Sequence, residues 1–270
     1  MDFLALNIQK SPELFRGILF WGGILFFLII ESTIPYRPAS VSKVKRWMDN
    51  LSLAIFNALI LNLIFFSSIL NTATYVTENR LGVLHLWSFP EWTRILATLV
   101  FMDLALYIWH LLNHEVPFLW RFHRVHHSDL NLDVSSASRF HIGELSISAV
   151  IKIGIIFFLG ADYRSIAVFE SMVVLTSQFH HSSLTLPVWV ERLLWVLFVP
   201  PSMHRIHHSV IIRERNTNYG TIFSFWDRIF ETILSAVDQK KIRIGIGAYP
   251  RFQTVRFRHL LKMPFTKGVR

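Results

Sequence analysis

LSLAIFNALILNLIFFSSIL, residues 51–70, runs 20 positions without a charged side chain. As a helix, such a run is about as long as the hydrocarbon core of a bilayer is thick. Residues 95–112 share its character, broken only by Asp103 and His110, and residues 17–30 form a shorter apolar run of 14. No small-residue cleavage site follows that shorter run, which continues ESTIPYRP over 31–38, so a retained anchor is expected. A further apolar pair, 145–159 and 165–181, is joined by the turn Gly160-Ala-Asp-Tyr-Arg164. The expected fold class is all-α: a polytopic membrane helix bundle of about three to five membrane helices, with a helical cap on the cytoplasmic side.

Sidedness follows from charge. The loop 36–47 holds Arg37, Lys43, Lys45 and Arg46, whereas 71–91 holds only Arg80. Basic residues favour the cytoplasmic side, which puts the first loop inside and the second outside. The third span then re-enters the cytoplasm just before Arg121 and Arg124, and an even number of later crossings, or a re-entrant hairpin, returns the chain to that side. Lys10 and Arg16 pull mildly against this orientation. The formal charge of +9 is the ordinary consequence of basic residues flanking membrane spans, so no nucleic-acid partner is expected.

The chain has no cysteine, which removes disulfides, thiolate catalysis and Cys-held zinc or iron–sulfur sites together. A metal here must be held by histidine or carboxylate. Of 13 histidines, only His85 and His259 fall outside 110–208. The rest come in groups: His110 with His114, His123 with His126-His127, His180-His181, and His204 with His207-His208; His141 stands alone. Residues three or four apart share a helix face, and Asp103 lies on the stripe of His110 and His114. Each HxxHH spreads its rings over an arc of roughly 100°, which suits two ions side by side. A lone histidine is commonly a hydrogen-bonded structural residue; four clusters at helical spacing are not explained that way. So many neutral nitrogen donors facing the cytoplasm suggest redox-active iron, whereas a zinc hydrolase needs only three or four ligands.

The ordered segments DLALYIWHLLNH, PFLWRFHRVHHS, SRFHIGE, QFHHS, PPSMHRIHHS and NYGTIFSFWDRIFET resemble the fatty acid hydroxylase/sterol desaturase superfamily of membrane di-iron oxygenases, over about Asp103 to Thr232. The resemblance implies a histidine-held di-iron centre using O2 and two externally supplied electrons on a lipid substrate, by hydroxylation or desaturation. Its ligands would be His110, His114, His123, His126, His127, His181, His204, His207 and His208, with His180 as a neighbour of His181. Asp103 would orient an imidazole, while Arg139, His141 and Glu144 would support the site from beside it, together with Asn218, Tyr219 and Asp227. Two departures, Ile142 where the family often has proline and Glu231 where it often has glycine, touch no proposed ligand.

Residues 1–92 are expected to be anchor helices, 93–235 the catalytic domain and 236–270 a basic cytoplasmic tail. No flavin, haem or iron–sulfur motif is visible, so electrons would come from a separate ferredoxin-like or cytochrome b5-like carrier. Arg213, Arg215, Lys240 and Lys241 would offer it a basic surface. The rival readings are a metal transporter, which would spread its histidines through the membrane depth, and a membrane metallohydrolase.

Overall fold

The computed structural model describes residues 12–65, 68–267 and 269; Phe66 and Ser67 of the second apolar stretch, and Lys10, lie outside them. The described residues are helical, without named strands. In order they form α1 (Pro12–Thr33), α2 (Lys43–Phe65), α3 (Ser68–Glu78), α4 (Glu91–Glu115), α5 (Pro117–His127), α6 (Ile142–Leu159), α7 (Tyr163–His181), α8 (Val188–Leu197) and α9 (Pro201–His207). Short helices α10 (Ile212–Arg215), α11 (Phe225–Ile229) and α12 (Phe257–Lys262) complete the chain. Among the described residues, four stretches are long and apolar enough to cross a membrane: Leu14–Thr33, Lys43–His85, Glu91–Glu115 and Ile142–Leu159. This is the architecture of a multi-pass membrane protein.

Boundaries fall where local chemistry demands them. Pro117 cannot donate into α4, so that helix stops at Glu115 and a new one starts with proline in its first turn. Gly160 takes the left-handed conformation that ends α6, at φ 73°, and Asp162 then caps α7 by accepting from the Ser165 backbone. The expected turn between residues 159 and 165 is therefore present.

A core of Leu70, Ala73, Val76, Met102, Tyr107, Ile156, Ile166 and Phe169 binds α3, α4, α6 and α7 together. Outward from it, large apolar side chains lie bare, among them Ile18, Leu25 and Ile29 on α1, Leu59 and Leu63 on α2, and Val150 and Phe158 on α6. In water such a surface would aggregate; against lipid it is the stable arrangement. A half-buried ionic contact at mid-helix, Lys152 of α6 on Glu170 of α7 at 2.5 Å, is paired as a low-dielectric site requires.

At one end of the bundle the connections 79–90 and 160–164 meet, tied by Arg94 with Asp162 and Arg164 with Glu91. At the other end sits the cap. Here α2 begins eight residues before the uncharged run, because its first turns serve the cap rather than the membrane. Arg46 pairs with Asp129 and Asp133, each at 2.6 Å, Asn50 bonds Asp129 and Ser135, and Leu53 packs on Val125, Val255 and Leu260. The basic C-terminal segment folds back onto the same end, where Arg124 reaches the backbone of Met263 and Lys267, and Trp120 donates to the Val269 carbonyl.

Candidate metal centre

The cap brings together α5, α9 and the cap-side ends of α4 and α7. Nine buried histidines converge there in two groups whose candidate ligand atoms lie within 4.8 Å of one another. His110, His114, His123, His127 and His207 form one; His126, His181, His204 and His208 form the other. The two HxxHH phrases interlock. The first and last members of each stay on their own side, and the middle member crosses, so that His126 joins the rings of the second phrase and His207 those of the first. The crossing follows from helix geometry, because a residue three positions on points about 60° away from the first and one four positions on only about 40°. His208 lies just past the end of α9, as its C-cap, yet keeps this pattern.

Six of the nine rings have their Nδ1 proton assigned by an acceptor. His110 donates to the Tyr219 carbonyl at 2.7 Å, His126 to that of Arg139 at 3.2 Å, His181 to that of Ser177 at 2.7 Å and His207 to that of Thr217 at 2.8 Å. His123 donates to the Glu144 carboxylate at 2.8 Å, and His114 lies 3.4 Å from the Asn216 side-chain oxygen. A carbonyl cannot donate, so in a neutral ring Nε2 is left as a bare lone pair. Burial first, and then the neighbouring imidazoles, hold His126, His127, His204, His207 and His208 well below the ordinary histidine value, which keeps those rings neutral.

The consequence tests whether metal fits. His126 and His181 face each other Nε2 to Nε2 at 3.1 Å with no proton between them. The Nε2 atoms of His110, His114 and His207 are buried without any hydrogen-bond partner. Lone pairs aimed at one another in a dry interior repel and lack the compensation that burial demands. A cation in each group resolves both defects, so the residues present fit two metal ions.

Around the rings, the supporting residues differ in part from expectation. Glu144 lies on the first turn of α6 and holds His123. Arg139 holds the α5 end through Val125, Ser128 and Asn50 while its carbonyl fixes His126. His141 belongs to neither group; it caps α6 by accepting from the Gly143 backbone and also contacts the Leu261 carbonyl. His180 is likewise in neither group, and its ring packs against that of His204, tilted by 40° with centroids 4.0 Å apart.

Asp103 is a correction. Its carboxylate accepts from the Ile222 and Phe223 backbones and from the Trp226 indole, not from an imidazole. The reason is distance along the helix: Asp103 stands about two turns, or ~10 Å, from His110 on α4. Asp227 does parallel work by accepting from the Tyr219 and Gly220 backbones and the Thr232 hydroxyl. Both acids thus shape the loop that presents the Tyr219 carbonyl to His110. Gly220 is required there, since a Cβ would meet the Phe223 carbonyl at 2.7 Å. Asn218, at φ 58°, bonds Met203 and Leu234 and closes the same loop. Arg215 is a second correction: it is buried, with its guanidinium 4.7 Å from the Trp120 ring, so it offers nothing to a docking partner.

The reading of motifs missed Phe140, stacked on His126 at 4.3 Å, and the carbonyls of Ser177 and Thr217. Backbone acceptors leave no mark in residue identity. Asn216, which precedes the Asn218-Tyr219-Gly220 phrase, could have been found from its place beside it.

Residues 95–232, just over half of the chain, match the profile of the fatty acid hydroxylase family. The chain belongs to the fatty acid hydroxylase family. All nine converging rings lie within the fatty acid hydroxylase match, while the Arg46 tether and the C-terminal segment are added from outside it.

Among curated fatty acid hydroxylase relatives, the ornithine lipid hydroxylase OlsE of Rhizobium tropici is 30% identical over 168 residues, 60% of this chain and 49% of that protein. Cholesterol 25-hydroxylase of Rattus norvegicus is 28% identical over 157 residues, 57% of this chain and 51% of the relative. Alkylglycerol monooxygenase of Caenorhabditis elegans is 33% identical over 152 residues, 54% of this chain and 28% of the relative. The chain thus spans about half the length of the first two and less of the third. No solved structure matches it.

Proposed function

We propose that this protein is a membrane oxygenase that hydroxylates a C–H bond of a lipid, using O2 at two iron ions. The observation that carries the reading is the pair of imidazole groups with their Nε2 lone pairs turned inward. His110, His114, His123, His127 and His207 would hold one ion, and His126, His181, His204 and His208 the other. An all-nitrogen donor set of this size suits iron better than a hydrolytic zinc site. When bound, the iron pair supplies the oxidising power; O2, two electrons and two protons put one oxygen atom into the C–H bond and release the other as water.

What the chain itself contributes is order. Glu144, Asn216 and the carbonyls of Ser177, Arg139, Thr217 and Tyr219 fix the tautomers and angles of six rings. Tyr219 and Trp120 pack against the rings and exclude water from the centre. Hydroxylation is favoured over desaturation because the relatives are named hydroxylases and monooxygenases; ornithine lipid, cholesterol and alkylglycerol mark the range of lipids involved.

The centre would face the cytoplasm. Arg37, Lys43, Lys45, Arg46, Arg121 and Arg124 all lie at its end of the bundle, a bias that agrees with the positive-inside rule. Electrons would arrive from a separate ferredoxin-like or cytochrome b5-like protein, for which exposed Arg213, Lys240 and Lys241 are candidate contacts. A transporter is disfavoured because the rings gather at a single depth.

Lipid extracts of cells with and without the chain, compared by mass spectrometry under air and under nitrogen, test the reading. A lipid heavier by one oxygen atom, formed only with O2 and a reductant, is expected. Turnover without O2 would overturn it, and a product lighter by two hydrogens would make the reaction a desaturation.

A further inference from the structure

Beside the histidine centre, a cavity of about 310 Å³ opens between the α1–α2 connection and the segment that follows α5. Glu31, Arg37, Lys43, Asn131, Asp133 and Ser183 are in its wall. Its acids already have cationic partners. Glu31 is paired with Lys43 at 2.7 Å and accepts from the Val134 and Ser183 backbones. Asp133 takes Arg46 at 2.6 Å and both the backbone and hydroxyl of Ser135.

Its donors are not. Arg37 spends a single N–H on the Ile242 carbonyl, at 2.6 Å, and among the described residues no carboxylate pairs with it. Asn131 accepts from Ser40 through Oδ1, while its Nδ2 is buried with no partner. Burial pushes the Arg37 guanidinium below its ordinary value, with Tyr36 opposing. Arg205, stacked on the Tyr36 ring at 3.6 Å, adds a further positive charge nearby. A half-buried cation without an anion is an unfavourable arrangement unless a ligand completes it.

The cavity's place matters as much as its charge. It lies where α1 ends and α2 begins, the level at which lipid headgroups meet a membrane protein. Ser183 in its wall is two residues past His181, so no more than ~7 Å of chain separates that wall from the metal centre.

We propose that this cavity binds the anionic group, phosphate or carboxylate, at the head of the lipid that the centre oxidises. The proposal rests on the hydroxylase reading given above and narrows it: the substrate is a charged amphiphile, and a neutral sterol lacks the group that Arg37 and Asn131 would recognise. Planar guanidinium matches either anion with two parallel hydrogen bonds.

The test uses the full, iron-loaded chain in neutral detergent, titrated calorimetrically with dihexanoyl phosphatidate, dihexanoyl phosphatidylcholine and inorganic phosphate. Phosphatidate is expected to bind saturably and at least roughly tenfold more tightly than either of the others. Arg37→Gln should weaken it by a similar factor. Ala39→Trp, an exposed position on the cavity wall that carries no charge, should block it without disturbing the fold. Equal binding of phosphatidate and inorganic phosphate would make this a free-anion site, and binding unaffected by both substitutions would place the anion elsewhere; either result overturns the proposal. Iron content and O2-dependent oxygen insertion on the same preparations report separately on the hydroxylase reading.

Discussion

His126 stands between His123 and His127 in the chain, yet its Nε2 lies 3.1 Å from that of His181, two helices away. It has left the five-ring group of its sequence neighbours for a group of four. His207 makes the reverse exchange. Unequal group sizes then give unequal sensitivities. His126→Ala leaves three rings and should lose the metal of that group, taking iron from two to about one per chain, with activity falling at least ~100-fold. His207→Ala leaves four rings and should retain more iron than His126→Ala. Metal analysis by mass spectrometry on folded protein decides the order.

Glu144→Ala removes the acceptor of the His123 Nδ1 proton and frees that ring to change tautomer. Partners of this kind typically contribute 10–100-fold to metal affinity or activity, and a loss of about that size is expected. Glu144→Gln keeps an acceptor oxygen at the same reach and should recover part of the loss. A chelator competition titration that ranks the three proteins wild type, Gln, Ala supports the role; no difference between them would contradict it.

Asp103 acts at a distance from the metal, so its removal should read first as stability. Asp103→Asn replaces one of two acceptor oxygens with an amide donor facing backbone N–H groups, and a buried hydrogen bond to a charged group contributes about 1.5–3 kcal/mol. A lowered thermal midpoint in detergent, with iron lost as a consequence of the loosened loop 218–223, is expected. Activity lost at an unchanged midpoint would instead mean that Asp103 touches the reaction.

Gly82 and Gly160 meet at the opposite end of the bundle, each with positive φ, and a Cβ on Gly82 would stand 2.2 Å from the Gly160 nitrogen. Gly82→Ala should therefore destabilise the chain by roughly 1–2 kcal/mol or more, since both conformation and space oppose it. Iron per folded chain should be unchanged, because the metal centre lies at the far end. A drop in bound iron at equal folded fraction would show coupling across the bundle.

Breaking the tether of α2 to the cap tests whether the first turns of that helix belong with the centre. Arg46→Ala leaves Asp129 and Asp133 buried without their shared cation, and one-sided removal of such a partner costs about 3–5 kcal/mol. The variant should lose bound iron together with its cooperative unfolding transition.

Residue order alone determined much here. Long apolar runs specify membrane helices because lipid offers no partner to a bare backbone or charge, and among the described residues four stretches are long and apolar enough to cross a membrane. The histidine groups were legible because imidazoles three and four positions apart on a helix must share a face. Local signals could not say how those faces meet. That His126 and His207 trade sides, that His141 and His180 stand outside both groups, and that Asp103 serves a loop 119 residues away all depend on the packing of α4, α5, α7 and α9. The same holds for α2, whose cap-binding turns are recognisable only once Asp129 and Asp133 stand opposite Arg46. Sequence spacing sets direction around one helix axis; only tertiary contact sets what lies in that direction.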